Sequence, residues 1–425
     1  MLVINAGQLI DGTGAAPRSR VRVLVEGERI ADIVDAAASA APEGAQVIQA
    51  EYATVMPGMI DAHLHLLWSG DATGQPLGAK DDLVMELPAT RSLKAYAHAR
   101  RDLEAGFTAV RDVHCLDWAD IAMRNAINNG LVVGPRISAG GYGLTSTGVH
   151  MDDLKGLRPD VTCRAFNNVV DTVDEARKAV RYLVMMGADH IKINAGLGYR
   201  VKGRPLYFAP EMRLDVMQTI CEEAHKAGRR VAAHSLGSDG ELWAVRAGVD
   251  SLEHAHFISD ETLQAMAERG TYLVPTMTHC VRNTLKLRET LPKEQWADNL
   301  IMNAYDSMYR VIPKALRLGV RVATGTDAVA DNVPHGCNAQ ELELLTTVGL
   351  TPMQAIVAAT RTAAEVLDMA DAIGFLARGK YADLLLVDGD PLADIRLLQQ
   401  PEKIQMVMKG GRVVVNRTGR TAEKP

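Results

Sequence analysis

The sequence predicts an α/β protein built on a (β/α)8 TIM barrel. Three observations carry that prediction: a length of 425 residues, β-rich runs separated by long helical stretches, and metal-competent side chains at the ends of those runs. A chain this long accommodates one large domain with an accessory part. The runs are "TVMPGMIDAHLHL", "TAVRDV", "RISAG", "HIKINA", "RVAAHS", "SLEHA", "YLVPT" and "RVATGTD", eight in all. Amphipathic stretches such as "EMRLDVMQTICEEAHKAG" and "DETLQAMAERG" separate them, each closing on the Gly that commonly stops a helix. An open doubly wound sheet is the alternative. No G-x-x-x-x-G-K or G-x-G-x-x-G follows the first run to support it.

Both ends of the chain read differently from the middle. "MLVINAGQLI", "DGTG" and "RVLVEGERIADIV" at the start, and "GKYADLLLVDGDP" and "KIQMVMKGGRVVV" near the end, alternate apolar residues and break them with Gly and Asp-Gly turns. That texture is β-sheet.

Composition removes several function classes. With 47% hydrophobic and 23% charged residues and no apolar run long enough to span a bilayer, no membrane segment is expected. A net charge of -6 and a pI near 6.1 supply no basic field, so nucleic acid is not an expected partner and small molecules are. The start of the chain lacks a secretory signal, and Cys115, Cys163, Cys221, Cys280 and Cys337 form no C-x-x-C pair. A cytoplasmic location with reduced thiols is expected, with export of a trimmed precursor left open.

Catalytic residues of such a barrel sit at the C-terminal ends of its strands. The first run closes on His63 and His65, the fourth carries Lys192, the fifth ends with His234, the sixth with His254 and the eighth with Asp327. Side chains at i and i+2 of a strand share a face, so His63 and His65 point to one spot. Any one of these histidines is more often a hydrogen-bonded structural residue than a ligand. Together they form a polar pocket with no structural purpose, which favours a metal: Zn2+ first, with Mn2+, Fe2+, Co2+ and Ni2+ also suited to imidazole and carboxylate. Lys192 departs from that set, since an ammonium repels a cation. It either snorkels outward or pairs with Asp327, or it is desolvated to the neutral amine and reacts with CO2 to give an anionic carbamate able to bridge two metals.

"DAHLHL", "IKINA", "AAHS", "LEHA" and "TGTDA" resemble the ligand motifs of the amidohydrolase superfamily. The stretch from Gly349 to Ile395 is similar to the tail of the branch holding imidazolonepropionases, Xaa-Pro dipeptidases and ochratoxin- or phenylurea-cleaving enzymes. The resemblance implies a small β-sandwich split between residues 1–56 and 373–425 around a barrel of residues 57–372. It implies two divalent metal ions: His63, His65 and Asp327 on the more buried one, His234 and His254 on the more exposed one, and carboxylated Lys192 between them. Two ions sharing a hydroxide keep a nucleophile available near neutral pH.

By the same resemblance Asp327 serves as general base and then acid, and His150 in "GLTSTGVHMDD" as oxyanion donor, although relatives read Gly-Gly-His-Gly where this chain has Gly148-Val149-His150-Met151. Tyr199 and Arg200 follow the fourth run where dipeptidase relatives bind the substrate carboxylate, and His256 is a candidate specificity residue. His98, His114, His190, His225, His279 and His335 are assigned to surface, helix or loop packing.

The expected activity is binuclear hydrolysis of the amide bond of an N-acyl amino acid or dipeptide by a homo-oligomeric enzyme. Hydrolysis of xenobiotic amides, ureas or carbamates and mononuclear cyclic amidohydrolase or deaminase chemistry are alternatives on the same scaffold. A catalytically silent homologue acting as a binding or scaffold protein is the rival of another class, and the complete ligand set counts against it.

Overall fold

The structure is a computed structural model and describes residues 1–37, 40–67, 86–150, 152, 168–196, 208–237, 239–295, 300–328 and 333–418. Its strands are β1 (Leu2–Leu9), β2 (Arg18–Glu26), β3 (Arg29–Asp35), β4 (Gln46–Pro57), β5 (Met59–Leu64), β6 (Phe107–Asp112), β7 (Arg136–Ala139), β8 (Leu144–Thr145), β9 (Asn168–Val169), β10 (His190–Gly196), β11 (Arg230–Ser235), β12 (Ser251–His254), β13 (Tyr272–Val274), β14 (Leu384–Asp388), β15 (Ile404–Lys409) and β16 (Arg412–Asn416).

The two ends of the chain meet in one seven-stranded sheet of order β16-β15-β14-β4-β1-β2-β3. Alternation along β14 gives that sheet two apolar faces. Leu384 and Leu386 join Ile4, Val23 and Val55 in the sheet's own core, whereas Leu385 and Val387 turn the other way into the large core beneath the parallel strands.

The middle of the chain supplies parallel strands, β5-β6-β7 in one sheet and β13-β12-β11-β10-β8-β9 in another. At one edge the sheets approach where the Asp189 amide donates to the Ala139 carbonyl at 2.7 Å. At the other edge residues 321–328 lie between β13 and β5: the Ala323 amide donates to Leu273 at 3.0 Å, the Ala62 amide to Thr324 at 2.9 Å and the Asp327 amide to His63 at 2.8 Å. β5, β6 and β10 are buried at every residue, as strands covered on both faces must be. This is a TIM-barrel-type fold with an extra domain.

Two of the expected runs differ in detail: the eighth forms no strand but bridges Leu273 at Val322 and Leu64 at Ala328, and the first divides. The first run is two strands: Thr54–Pro57 pair with β14 in the terminal sheet, and only Met59–Leu64 belong to the parallel part. Gly58 marks the handover. A Cβ there would lie 2.1 Å from Thr108 Oγ1, so only glycine lets the chain cross at this point. The helix expected over 260–270 spans Asp260–Arg269. Ser259 caps it by accepting from the Thr262 amide, and Gly270 ends it at φ +74.

Among the described residues Cys115, Cys221, Cys280 and Cys337 form no disulfide, and Cys163 lies outside those residues. No described helix is long and apolar enough to cross a membrane.

Candidate metal centre

The C-terminal ends of β5 and of the 321–328 run are tied together by one carboxylate. Asp61 Oδ1 accepts from the amides of His63 (3.0 Å) and Thr326 (3.1 Å), and Oδ2 accepts from Thr326 Oγ1 (2.5 Å) and Asn338 Nδ2 (2.7 Å). Burial pushes Asp61 up to about 6. Gly325 lets the two segments touch, since a Cβ at that position would lie 2.7 Å from the His63 Cβ.

Three imidazoles above this floor are each held through Nδ1. His63 Nδ1 donates to Glu253 Oε2 at 2.6 Å, His65 Nδ1 to the His114 carbonyl at 3.2 Å, and His254 Nδ1 meets Thr276 Oγ1 at 2.7 Å. The bond to Glu253 leaves the Nε2 lone pair of His63 available, as an outer-shell partner does for a ligating histidine. The Nε2 atoms of His63 and His65 lie 3.6 and 3.3 Å from Asp327 Oδ1. His63, His254 and Asp327 place ligand atoms within 4.8 Å of one another, all buried. The His234 ring lies 4.5 Å from that of His254, and its Nε2 is buried with no partner among the described residues.

Lys192 projects from β10 into the same space. It is 4% exposed, and its Nζ has no hydrogen-bond partner among the described residues. Burial, with Arg111 adding to it and Glu253 and Asp327 opposing, pulls the amine down to about 8. Burial would raise the Glu253 carboxyl. Arg111, whose Nη2 donates to it at 2.7 Å, and His63 outweigh that and hold it below the usual carboxylate range. Burial likewise opposes ionisation of Asp327, and His279, His65 and His63 overcome it. Burial lowers His63 to about 4 and His234 and His254 well below their ordinary value, so these rings are neutral lone-pair donors. A tight set of neutral imidazoles, a carboxylate and a deprotonatable amine, several with orphaned atoms, fits a divalent metal centre.

Backbone strain gathers here. Asp327, His254 and Ala255 adopt φ of +55, +65 and +52, unusual for residues with a Cβ. The turn at His254 and Ala255 ends the strand alternation, yet it keeps His256 buried with its ring 5.8 Å from that of His254. His150 stacks on His234 with centroids 4.4 Å apart, and its backbone is fixed by Glu211 and Thr145. Tyr199 and Arg200 lie outside the described residues.

Two histidines assigned to packing face the centre instead. His279 Nδ1 lies 3.5 Å from Asp327 Oδ2. His114 is buried just past β6, accepts from the Gly143 amide at Nδ1 (3.1 Å), and has an unpartnered Nε2. Burial, then His65, Lys192 and His150, pull it down to about 3. His98 and His335 do pack: they stack at 4.5 Å, one bonded to the Leu66 carbonyl and the other to Asp102. His190 bonds Ser138, and His225 bonds Asp250. A second buried group, Asp112, Cys115 and Asp120, is occupied with backbone amides of Leu66, Gly141 and Ile121.

Four likenesses place the chain. The amidohydrolase family model matches residues 54–414. Ochratoxinase of Aspergillus niger is 30% identical over 435 residues, covering 97% of this chain and 86% of that protein. A crystal structure of a Xaa-Pro dipeptidase with bound methionine in the active site superposes with a TM-score of 0.83 at 30% identity, covering 97% of this chain and 99% of that one. A prolidase complexed with N-methylphosphonate-L-proline superposes with a TM-score of 0.84 at 29% identity, covering 98% and 99%. A barrel-type fold, clustered metal-competent residues at its strand ends and a family match over most of the length lead to one conclusion: the chain belongs to the amidohydrolase family and is a hydrolase acting on carbon–nitrogen bonds.

Proposed function

We propose that the protein is a binuclear metal-dependent hydrolase that cleaves the amide bond of an N-acyl amino acid or dipeptide. The observation that carries this reading is Lys192, a buried amine without a partner among the described residues, set beside His63, His254 and Asp327. Its pKa of about 8 leaves a usable neutral fraction near neutral pH. The neutral amine adds to CO2: an N–C bond forms, one C=O electron pair moves to oxygen, and a proton leaves Nζ for solvent. The carbamate would join His63, His65 and Asp327 on one ion and His234 and His254 on the other. When bound, the ions supply Lewis acidity toward the amide carbonyl and lower the pKa of water.

The chain's own residues do the rest. Asp327 accepts a proton from the attacking water and delivers it to the leaving nitrogen as the C–N bond breaks, yielding an acid and an amine. His150 donates to the carbonyl oxygen as negative charge develops there. His256 lines the pocket as a specificity residue, and Tyr199 and Arg200 bind the substrate carboxylate. The Xaa-Pro dipeptidase with bound methionine and the prolidase bound to a phosphonate of proline support an amino acid in the substrate. We read the eight runs as one closed barrel and the chain as self-associating in the cytoplasm.

The test is metal analysis of the purified protein with a hydrolysis screen of dipeptides, N-acyl amino acids and aryl amides, before and after chelation. About two metals per chain and chelator-sensitive release of an amino acid are expected. Activity confined to aryl amides or ureas overturns the substrate. About one metal per chain, or unaltered metal content in Lys192→Ala, overturns the bridging lysine.

A further inference from the structure

We infer that His114 is a fixed, neutral hydrogen-bond donor to the carbamate on Lys192, an inference that rests on the binuclear reading above. The Gly143 amide donates to His114 Nδ1 at 3.1 Å, so Nδ1 carries the lone pair and the ring's proton sits on Nε2. Gly143 is what permits this contact, since a Cβ at 143 would lie 2.4 Å from Nδ1. The arrangement is opposite to that of His63, whose Nδ1 donates to Glu253 and whose Nε2 keeps its lone pair. His114 in this tautomer therefore offers a proton where His63 offers electrons.

That proton has nowhere to go within the described chain. His114 is 3% exposed, and its Nε2 has no partner among the described residues. A buried donor without an acceptor is costly. Leu144 pairs in parallel with Ile193, which brings the backbone at Gly143, where the ring is held, beside the backbone at Lys192. Lys192 Nζ is another orphan in this space, as His234 Nε2 is. An amine cannot satisfy an N–H donor while it is an ammonium, but a carbamate presents two acceptor oxygens. One reaction at Nζ thus resolves both groups, and His114 acts as a positioning residue that holds the carbamate.

The test is 13C NMR of the Zn2+-loaded full chain equilibrated with 13C-labelled bicarbonate, following the carbamate carbon against total CO2. The wild-type signal should vanish in Lys192→Ala. His114→Leu should raise the bicarbonate needed for half-maximal signal roughly tenfold, the effect of one hydrogen bond to a charged acceptor. Gly143→Ala, which keeps the histidine but displaces it, should shift it in the same direction and covers the case in which His114→Leu fails to fold. Nitrogen-15 shifts should show His114 as the Nε2–H tautomer. Half-maximal values equal to wild type in both variants, or the Nδ1–H tautomer, overturn the assignment to His114 alone. No carbamate signal in the wild type overturns it together with the bridging lysine.

Discussion

Both ends of the parallel strands carry titratable side chains, and the two ends differ in how many of them go without a partner, His190 Nε2 and Arg229 Nε being the buried exceptions at the N-terminal end. At the N-terminal end a cleft of about 440 Å³ is lined by His225, Arg230, Asp250, Arg269, Tyr272 and Arg321. Most of its polar groups are occupied: Arg230 pairs with Asp368 at 3.1 Å, Arg321 with Glu365 at 3.1 Å and His225 with Asp250 at 2.9 Å. At the C-terminal end Lys192, His114, His234 and His256 each bury a nitrogen without a hydrogen bond to any described residue. Paired charges near water answer to each other and to solvent. Buried orphans answer to something the chain does not supply, and that marks the end of the strands kept for a ligand.

The sharpest way to break this contrast is Asp327→Asn, which keeps the shape of the side chain and removes its charge. Its kcat should fall roughly 10³-fold with the protein still folded, within the range for loss of a general base, as read by steady-state kinetics and circular dichroism. Undiminished turnover would remove the functional distinction between the two ends.

Glu253→Gln probes the layer beneath. It leaves an amide against His63 and an uncompensated Arg111 guanidinium, so metal affinity should weaken about 10- to 100-fold in a competition titration. Unchanged affinity would mean that the Arg111–Glu253–His63 chain plays no part in holding the ligand.

Glu341 sharpens the comparison through pH. It accepts from the Met277 and Thr278 amides at 2.9 and 2.7 Å, and burial raises it to about 7. The folded protein thus keeps a proton that the unfolded chain releases near pH 4.5. The stabilisation this gives is complete below pH 4.5 and is lost as pH rises through 7, about 3 kcal/mol in all. Glu341→Gln should flatten that part of the pH–stability curve in denaturant titrations. An unchanged slope would show that this carboxyl titrates normally.

At the quiet end, Arg230→Gln and Arg321→Gln should each alter stability by no more than about 0.5 kcal/mol and leave kcat/KM unchanged. A large loss of activity in either would mean that the cleft takes part in function.

Reading the sequence reached the strand ends because His63, His234 and His254 close recognisable β-rich runs, where position along the strand fixes direction, whereas Asp327 closes a run that forms only isolated bridges. It did not reach His279 or His114, whose placement depends on bends with no periodic signal. Thr276 at φ +50 starts the helix that aims His279 at Asp327, and His114 is set by an amide 29 residues away. The Arg111–Glu253–Ser251 layer was also hidden, since a charged pair inside a strand run reads as an outward-facing position until strands from distant parts of the chain enclose it. The handover at Gly58 was invisible for a related reason. An apolar run does not say which sheet each half joins.

The seven-stranded sheet has a consequence for synthesis. β4 leads directly into the strand bearing His63, yet its neighbour β14 is encoded roughly 330 residues later. At about 5–20 residues per second, the edge of β4 waits on the order of tens of seconds for its partner to leave the ribosome. During that interval an unpaired apolar edge adjoins the half-built metal pocket and is open to wrong pairings. A segment translated long after the first histidines is thus the one that finishes the platform beneath them, which makes arrest of translation between the two hazardous for this chain.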